Sequence, residues 1–287
     1  MKLIFFGSAE FSIYTLDELK LHDILPDFIV TLPDKPRSRK LIMTQNIVGD
    51  WAQKQNIESI APASLKNNQF LIDKLKSFGI EESIYVVAAY GKIIPRDIFE
   101  IPKHKTLNIH PSLLSKYRGA SPIQSQILSD EQEVGVTIMQ IEEAMDAGPI
   151  IVQKKVVLDE MPAKIELEKI LAREGARLFA HILPEWMQGV ISPIMQNEAE
   201  ATYCKKIEKK DGELEINLNN LPHGEAARKI LLKIKAFEGW PGTYFFHNQK
   251  RIIVSNAVIK DDRLQILRVI PEGKSEMDFE DFKRGLR

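Results

Sequence analysis

The most informative stretch of this sequence is Thr106-Leu107-Asn108-Ile109-His110-Pro111. Its residue types predict a short strand over Thr106 to His110, and Pro111 ends the strand because proline has no amide donor for the ladder. Side chains two positions apart on a strand point to the same face, so Asn108 and His110 project together. The stretch therefore predicts an amide and an imidazole side by side at a strand end.

An amide donor beside an imidazole suits a reaction in which negative charge builds on a carbonyl oxygen. A carboxylate would then orient the imidazole or help to remove a proton. The alternative is a chance pattern on a solvated strand end, and the triplet Asn-x-His alone favours that alternative. The residues around it decide between the two interpretations.

Strands and helices alternate through the first 160 residues. Apolar runs predict strands, and helix-like stretches separate them; the strands are 3–6, 28–32, 83–89, 107–110 and 136–141, and the helices are 11–20, 47–55, 69–78 and 122–128. This order predicts a doubly wound, mostly parallel α/β sheet of Rossmann-like type. Such sheets bind ligands at the carboxyl ends of their strands, where His110 is expected. The turn after the first strand lacks the G-x-G-x-x-G spacing, so a dinucleotide site is weakly supported.

The second half of the chain predicts a long helix, a linker and a small β-rich module. The helix is expected at 162–188, the polar stretch of little pattern lies at 192–219, and a further helix and three short strands follow at 225–237, 243–247, 251–258 and 264–269. We therefore expect a catalytic domain at 1–190, a linker at 191–207 and a shortened β-rich domain at 208–287.

Composition narrows the class of protein. The 287 residues carry a formal net charge of −1 and a single cysteine, Cys204, so no internal disulfide can form. No apolar run is long enough to span a membrane, and the start of the chain lacks the features of a signal peptide, so we expect a cytoplasmic protein. No His or Cys cluster has metal-ligand spacing, so we expect no metal.

Charge is distributed unevenly along the chain. From Tyr203 onward there are 17 Lys and Arg against 13 Asp and Glu, a local balance of +4. A mildly basic module on an acidic body is compatible with a polyanionic partner, although the effect is too small to demand one.

Six segments together are similar to one known family. They are 6–11, 33–40, 89–95, 108–119, 135–148 and 271–285. With them the sequence resembles the methionyl-tRNA formyltransferases, within the superfamily of folate-dependent formyltransferases. The segment 108–119 and the loop Met145-Asp146-Ala147-Gly148 are specific for the superfamily, whereas the basic loop after Pro33 and the C-terminal pattern favour tRNA as the acceptor.

The resemblance implies transfer of a formyl group from 10-formyltetrahydrofolate, as donor substrate, to the amino group of methionyl-initiator tRNA in translation initiation. Asn108 and His110 would donate to the oxyanion, and Asp146 would orient His110 and assist proton removal. The implied folate contacts are Tyr90, Gly91, Ile93, Ile94, Ser112, Leu113, Met139 and Asp146. The implied tRNA contacts are Arg37, Arg39 and Lys40. The expected partners are folate and charged initiator tRNA, with no membrane, and the expected state is a monomer.

Three departures from the family pattern leave other acceptors open. Ser115 stands where the family usually has Pro, and both the stretch 36–41 and the turn at 260–262 are short, so we expect the small domain to be OB-like but an open barrel. The first alternative is a transferase acting on a nucleotide-linked amino sugar. The second is a hydrolase in which water replaces the amine. A third, an RNA-binding protein with a decayed folate site, is disfavoured by the intact Asn108, His110 and Asp146.

Overall fold

The computed structural model describes residues 1–37, 42–44, 46–218 and 220–286, with the backbone alone at 35–37 and 42–44. Its strands are β1 (Lys2–Gly7), β2 (Phe28–Val30), β3 (Lys35–Arg37), β4 (Ile42–Thr44), β5 (Ser59–Ile60), β6 (Ser83–Ala88), β7 (Thr106–His110), β8 (Arg118–Gly119), β9 (Val134–Gln140), β10 (Ile150–Val156), β11 (Tyr203–Cys204), β12 (Thr243–His247), β13 (Lys250–Lys260), β14 (Arg263–Pro271) and β15 (Met277–Asp278). Its helices are α1 (Glu10–Leu21), α2 (Ile47–Lys54), α3 (Gln69–Lys76), α4 (Arg96–Phe99), α5 (Pro122–Leu128), α6 (Lys164–Met187), α7 (Gly224–Ala236) and α8 (Phe279–Arg284).

The chain forms two compact units. The first consists of Met1–Arg118, Val134–Val156 and Lys169–Thr202, and the second of Gly119–Glu133, Val157–Glu168 and Tyr203–Arg287. Such a division says nothing about function, so the assignment of a catalytic domain to 1–190, a linker to 191–207 and a tRNA-binding-type domain to 208–287 stays a prediction.

A seven-stranded sheet in the order β10-β9-β7-β6-β1-β2-β5 forms the centre of the first unit. The strands from β7 to β5 are parallel, which confirms the predicted α/β class. At the other end β9 runs antiparallel to β7, and β10 runs antiparallel to β9. Strand β10 is not predicted from the sequence, because its second half is polar and charged and only one of its seven residues is buried, which is typical of an edge strand.

The central strands β1 and β6 explain where the site lies. Every residue of β6 is buried, and so are five of the six in β1, as expected for parallel strands covered on both faces. The register pairs Gly7 with Ala88 and Val87 with Asn108, so the carboxyl ends of β1, β6 and β7 meet at one edge of the sheet. This edge is where an open α/β sheet binds its ligands.

Helix α6 packs closely against β7 through a glycine. A Cβ at Gly175 would lie 2.4 Å from Ile109 Cγ2, so any side chain there would push the helix away from the strand that carries Asn108 and His110. Glycine inside a helix costs about 0.5–1 kcal/mol, which the close packing offsets. The same helix is tied to α1, because Arg177 Nε donates to the buried carboxylate of Glu18 at 2.7 Å.

The second unit contains an antiparallel sheet in the order β12-β13-β14-β15. Its apolar face packs with α7 and α8 in a core that includes Phe245, Leu264 and Phe279. A two-residue turn joins β13 to β14, and both its residues, Asp261 and Asp262, have positive φ (49° and 59°). Over the described residues the strand order is linear and does not close, which confirms the expected open β-rich module.

The polar stretch 192–219 has more structure than its composition indicates. It contains β11 and short 3-10 turns at Glu198–Glu200 and Lys209–Gly212, and it buries Gln196 and Leu214. Among the described residues, no helix combines the length and apolar character that crossing a membrane requires.

Candidate active site

Strand β7 and the loop between β9 and β10 bring Asn108, His110 and Asp146 into one region of the first unit. His110, at the end of β7, is 4% exposed, and its Nδ1 lies 3.7 Å from Asp146 Oδ1. That distance is longer than a hydrogen bond, as is common for catalytic pairs in the absence of substrate. The two ionisable groups singled out from the sequence are therefore neighbours in the fold.

The other ring nitrogen of His110 faces a backbone carbonyl. His110 Nε2 lies 3.1 Å from the carbonyl oxygen of Tyr117, and a carbonyl oxygen only accepts, so this network assigns a proton to Nε2. Donation from His110 to a substrate oxygen would therefore need the Nε2 proton to be shared with Tyr117, or the ring to turn.

Asn108 is half-buried in β7, where it pairs with Met139 of β9. Within the described part of the chain its side-chain amide has no hydrogen-bond partner. A partly exposed amide donor without a protein acceptor is available to an oxygen of the substrate.

Backbone geometry places Asp146. Its φ is +53°, a left-handed conformation that few residues other than glycine, asparagine and aspartate adopt. Two positions on, Gly148 is buried against β9, where a Cβ would lie 2.0 Å from the carbonyl oxygen of Gln140. The motif Met-Asp-Ala-Gly thus combines a residue that tolerates positive φ with a glycine that allows the loop to lie against the sheet.

Thr137 holds the turn that follows β7. Its hydroxyl donates to the carbonyl oxygen of Ser112 at 2.6 Å and accepts from the Leu114 N–H at 3.1 Å. Gln153 Nε2 donates to both Thr137 Oγ1 (2.8 Å) and the carbonyl oxygen of Leu114 (2.6 Å). These contacts fix the backbone directly after His110, and no pattern in the sequence predicts that role for Thr137 or Gln153.

The predicted folate residues of the segment 89–95 follow β6. Ser8, after β1, donates to the carbonyl oxygens of Ala89 (3.1 Å) and Tyr90 (2.7 Å), which joins the ends of β1 and β6. Gly91 has a φ of +80° and is exposed, as is the side chain of Ile93 (79%). Gly91 and Ile93 are therefore open to a ligand at this edge of the sheet.

Tyr90 and Ile94, from the same segment, are buried in the core of the first unit. Burial raises the pKa of the Tyr90 hydroxyl to about 12, and neither it nor the hydroxyl of Tyr85 has a hydrogen-bond partner in the described part of the chain. The side chain of Tyr90 packs edge-on against Phe6. A ligand at this edge would meet the backbone of Tyr90 rather than its ring.

The remaining predicted folate residues line the inner side of the turn and loop. The hydroxyl of Ser112 is buried and donates to the carbonyl oxygen of Lys116 at 2.7 Å. Leu113 packs on Gly135, and Met139 packs on Gly148. Their positions beside the Asp146 loop are compatible with a folate pocket, and their contact with folate stays a prediction.

The predicted tRNA residues fall largely outside the described structure. Strands β3 and β4 pair antiparallel, and Arg37 is the last residue of β3. Arg39 and Lys40 lie outside the described residues.

Gln196 is a site residue that sequence reasoning missed. Its Nε2 donates to the carbonyl oxygens of Asp146 (2.9 Å) and Gly148 (2.8 Å), so it touches the loop on both sides of Ala147. It lies in the polar stretch after α6, where no pattern distinguishes a buried glutamine from a solvated one.

Comparison with known proteins identifies the family. The sequence profile of the formyl transferase family matches residues 1–183. A methionyl-tRNA formyltransferase of Sulfurihydrogenibium sp. (strain YO3AOP1) is 36% identical over 269 residues, which cover 93% of this chain and 83% of that protein. The chain belongs to the methionyl-tRNA formyltransferase family.

Solved formyltransferases share its fold. The methionyl-tRNA formyltransferase from Clostridium thermocellum matches with a TM-score of 0.59 and 15% identity, over 97% of this chain and 99% of that one. An N-formyltransferase from Helicobacter canadensis, in complex with folinic acid and dTDP-3-aminofucose, matches with a TM-score of 0.63 and 18% identity, over 91% of this chain and 88% of that one. At such identities the likeness concerns the fold alone, and it extends to formyltransferases with different acceptors.

Asn108, His110 and Asp146 offer donors and an acceptor of the kind that a formyl transfer uses, and their part in the reaction stays a prediction. The amide of Asn108 can donate to an oxygen, the His110 imidazole can donate or carry a proton, and the carboxylate of Asp146 can accept one. All three come from elements of the first unit, whose core is the seven-stranded sheet.

Proposed function

We propose that this chain transfers the formyl group of 10-formyltetrahydrofolate to the amino group of methionyl-initiator tRNA, and so acts in translation initiation in the cytoplasm. The observation that carries the proposal is the approach of His110 to Asp146, with Asn108 two positions before His110 on β7, in a chain that covers 83% of a methionyl-tRNA formyltransferase. We also propose that the protein is a monomer.

The residues divide the chemistry between them. Asn108 Nδ2 and an N–H of His110 donate to the formyl oxygen as negative charge builds on it, and each such donor contributes on the order of 10²–10³ in rate. As the amine nitrogen bonds to the formyl carbon, Asp146 stabilises a protonated His110 imidazole and takes up the proton that the amine loses, directly or through a water. The bond from the formyl carbon to folate N10 then breaks, N10 receives that proton, and tetrahydrofolate leaves. The amine must reach this centre uncharged, because a protonated amine has no lone pair with which to attack.

A reduced folate fits the edge formed by β1, β6 and β7. The exposed Gly91 and Ile93 offer a backbone and an apolar side chain, which suit a ring system with polar edges. The partly exposed Leu113 would pack on the ring from the side of the Asp146 loop, and Met139, which is 1% exposed, would support this side of the pocket from beneath. The folate supplies the activated formyl group, and the chain supplies the orientation and the polar contacts.

A nucleotide-linked amino sugar is the second candidate acceptor. The Helicobacter canadensis enzyme, which matches over 91% of this chain, was crystallised with dTDP-3-aminofucose. Sequence identity favours tRNA, because that enzyme is 18% identical and the Sulfurihydrogenibium methionyl-tRNA formyltransferase is 36% identical.

One assay separates these functions. The purified chain is given 10-formyltetrahydrofolate with charged initiator tRNA, with dTDP-3-aminofucose, or with no acceptor, and formylated product and consumed donor are both measured. We expect formyl-methionyl-tRNA as the product, and no comparable turnover of the sugar. The variant His110→Ala, assayed in parallel, identifies turnover that belongs to the proposed centre.

Each other result contradicts the proposal in its own way. Formylated sugar without formylated tRNA assigns the sugar as acceptor. Donor consumed equally without any acceptor assigns a hydrolase. Turnover that survives in His110→Ala places the chemistry elsewhere.

A further inference from the structure

The buried guanidinium of Arg118 provides a fixed anchor near the Asp146 loop. Arg118 is 1% exposed, and its Nη1 and Nη2 donate to the two carboxylate oxygens of Glu198 at 3.0 and 2.7 Å. The guanidinium holds the pKa of the Glu198 carboxyl below its usual range. Paired hydrogen bonds of this kind hold the planar guanidinium in one orientation.

Gln196 connects this anchor to the loop. Its Oε1 accepts from Arg118 Nε at 3.0 Å and from Nη2 at 2.8 Å, while its Nε2 donates to the carbonyl oxygens of Asp146 and Gly148. The guanidinium only donates and the carbonyls only accept, so the amide has one orientation in which all four contacts are satisfied. Gln196 is 9% exposed, so water competes little for these four hydrogen bonds.

The loop needs such a restraint because Asp146 is in a left-handed conformation. An L-residue with positive φ is disfavoured unless its surroundings hold it there. The N–H of Ala147 donates to the carbonyl oxygen of Ala144 at 3.3 Å, a long hydrogen bond. The amide of Gln196 holds the carbonyls of Asp146 and Gly148, on either side of Ala147.

We propose that Gln196 is a positioning residue for Asp146, holding the backbone of residues 146–148 so that the carboxylate stays beside His110. This inference rests on the proposed formyl transfer, because it assigns to Gln196 an effect on the rate of that reaction. Gln196 does not touch the reacting atoms; it acts through the backbone of the residue that does.

The substitution Gln196→Glu separates the two sides of the amide. A glutamate of the same shape keeps an acceptor for Arg118, but its carboxylate cannot donate to the carbonyls of Asp146 and Gly148 and is repelled by them. The matched control is Asn197→Ala, one residue along, because the exposed Asn197 side chain bonds within its own turn, to Ala199 and Glu200, and has no bond to the Asp146 loop among the described residues.

Two measurements test the proposal. In Gln196→Glu we expect kcat to fall on the order of 10²-fold, as a misplacement of about 1 Å does, with KM for donor and acceptor close to the parent values. We also expect faster amide hydrogen exchange in residues 142–148, measured by mass spectrometry on the full chain. Asn197→Ala should match the parent in both.

The outcomes distinguish this inference from the proposed function. Unchanged kcat in Gln196→Glu, or a lower melting temperature with unchanged kcat, overturns the positioning role. If the parent itself forms no formylated product, the proposed function fails, and unchanged exchange in residues 142–148 would still show separately that Gln196 does not hold the loop.

Discussion

Gly148 is the position at which a single methyl group should displace the loop that carries Asp146. A Cβ there would lie 2.0 Å from the carbonyl oxygen of Gln140, whereas real Cβ atoms essentially never come closer than 3.0 Å to a neighbouring atom. The substitution Gly148→Ala therefore forces a separation of at least about 1 Å between the loop and β9. Gln140 cannot yield cheaply, because its N–H donates to the carbonyl oxygen of Pro149 at 2.9 Å.

The displacement should reach Asp146, because Gln196 bonds the carbonyls of both residues and they are two positions apart. A misplacement of about 1 Å costs on the order of 10²-fold in rate, so we expect kcat of Gly148→Ala to fall by about that factor. Overpacking should also lower the free energy of unfolding by about 1–3 kcal/mol. Both are measured on the purified variant, as initial rates of formyl transfer at saturating substrates and as unfolding in denaturant.

Gly189→Ala separates lost stability from lost geometry. Gly189 has a φ of +71°, and a Cβ added to it would have no atom within 4 Å, so alanine there costs about 1 kcal/mol through backbone strain without moving a neighbour. We expect this control to lose stability and keep its kcat. An unchanged kcat in folded Gly148→Ala, or an equal fall in both variants, would refute the argument from loop geometry.

Two further variants test the charge of Asp146 in the proposed centre and the binding of the acceptor tRNA. Asp146→Asn keeps the size of the side chain and removes its charge. We expect turnover, measured with saturating donor, to fall severely while folate binding persists. Activity within a few-fold of the parent would mean that Asp146 does not handle the proton. Replacing Arg37, Arg39 and Lys40 together by alanine should raise the KM for charged tRNA and weaken the dependence of this KM on salt, because fewer phosphate contacts release fewer counterions. A triple variant that uses tRNA like the parent across a salt series would show that these residues do not bind it.

The strands that could be predicted are those whose burial leaves a clear pattern. β1, β6 and β7 are apolar runs that end in turns, and the expected bounds differ from the observed ones by no more than a residue at each end. β10 could not be predicted, because an edge strand exposes polar side chains as a loop does. The antiparallel direction of β9 was also beyond reach, since a period of two carries no direction.

The residue types of the candidate site could be predicted from the sequence, but the contacts that hold them in place could not. Asn108 and His110 follow from their spacing on one strand, and Asp146 follows from a resemblance to a family rather than from any local pattern. The approach of Asp146 to His110 depends on its positive φ and on the close packing of Gly148, and both are visible only in the folded structure. Gln196, fifty residues further along the chain, has no local signal because its role is a long-range contact.

The buried tyrosines give the folded chain an optical signature in alkali. The chain has six tyrosines, and burial holds the pKa of Tyr90 at about 12 and raises that of Tyr85 as well. Below pH 10 the folded and unfolded chains both keep these phenols protonated, so stability is unaffected. As pH rises above 10 the unfolded chain releases protons that the folded chain retains, and folding stability falls. Near-ultraviolet phenolate absorbance should therefore rise late for these two rings, in step with loss of the fold, so the core carries its own unfolding reporter without any label.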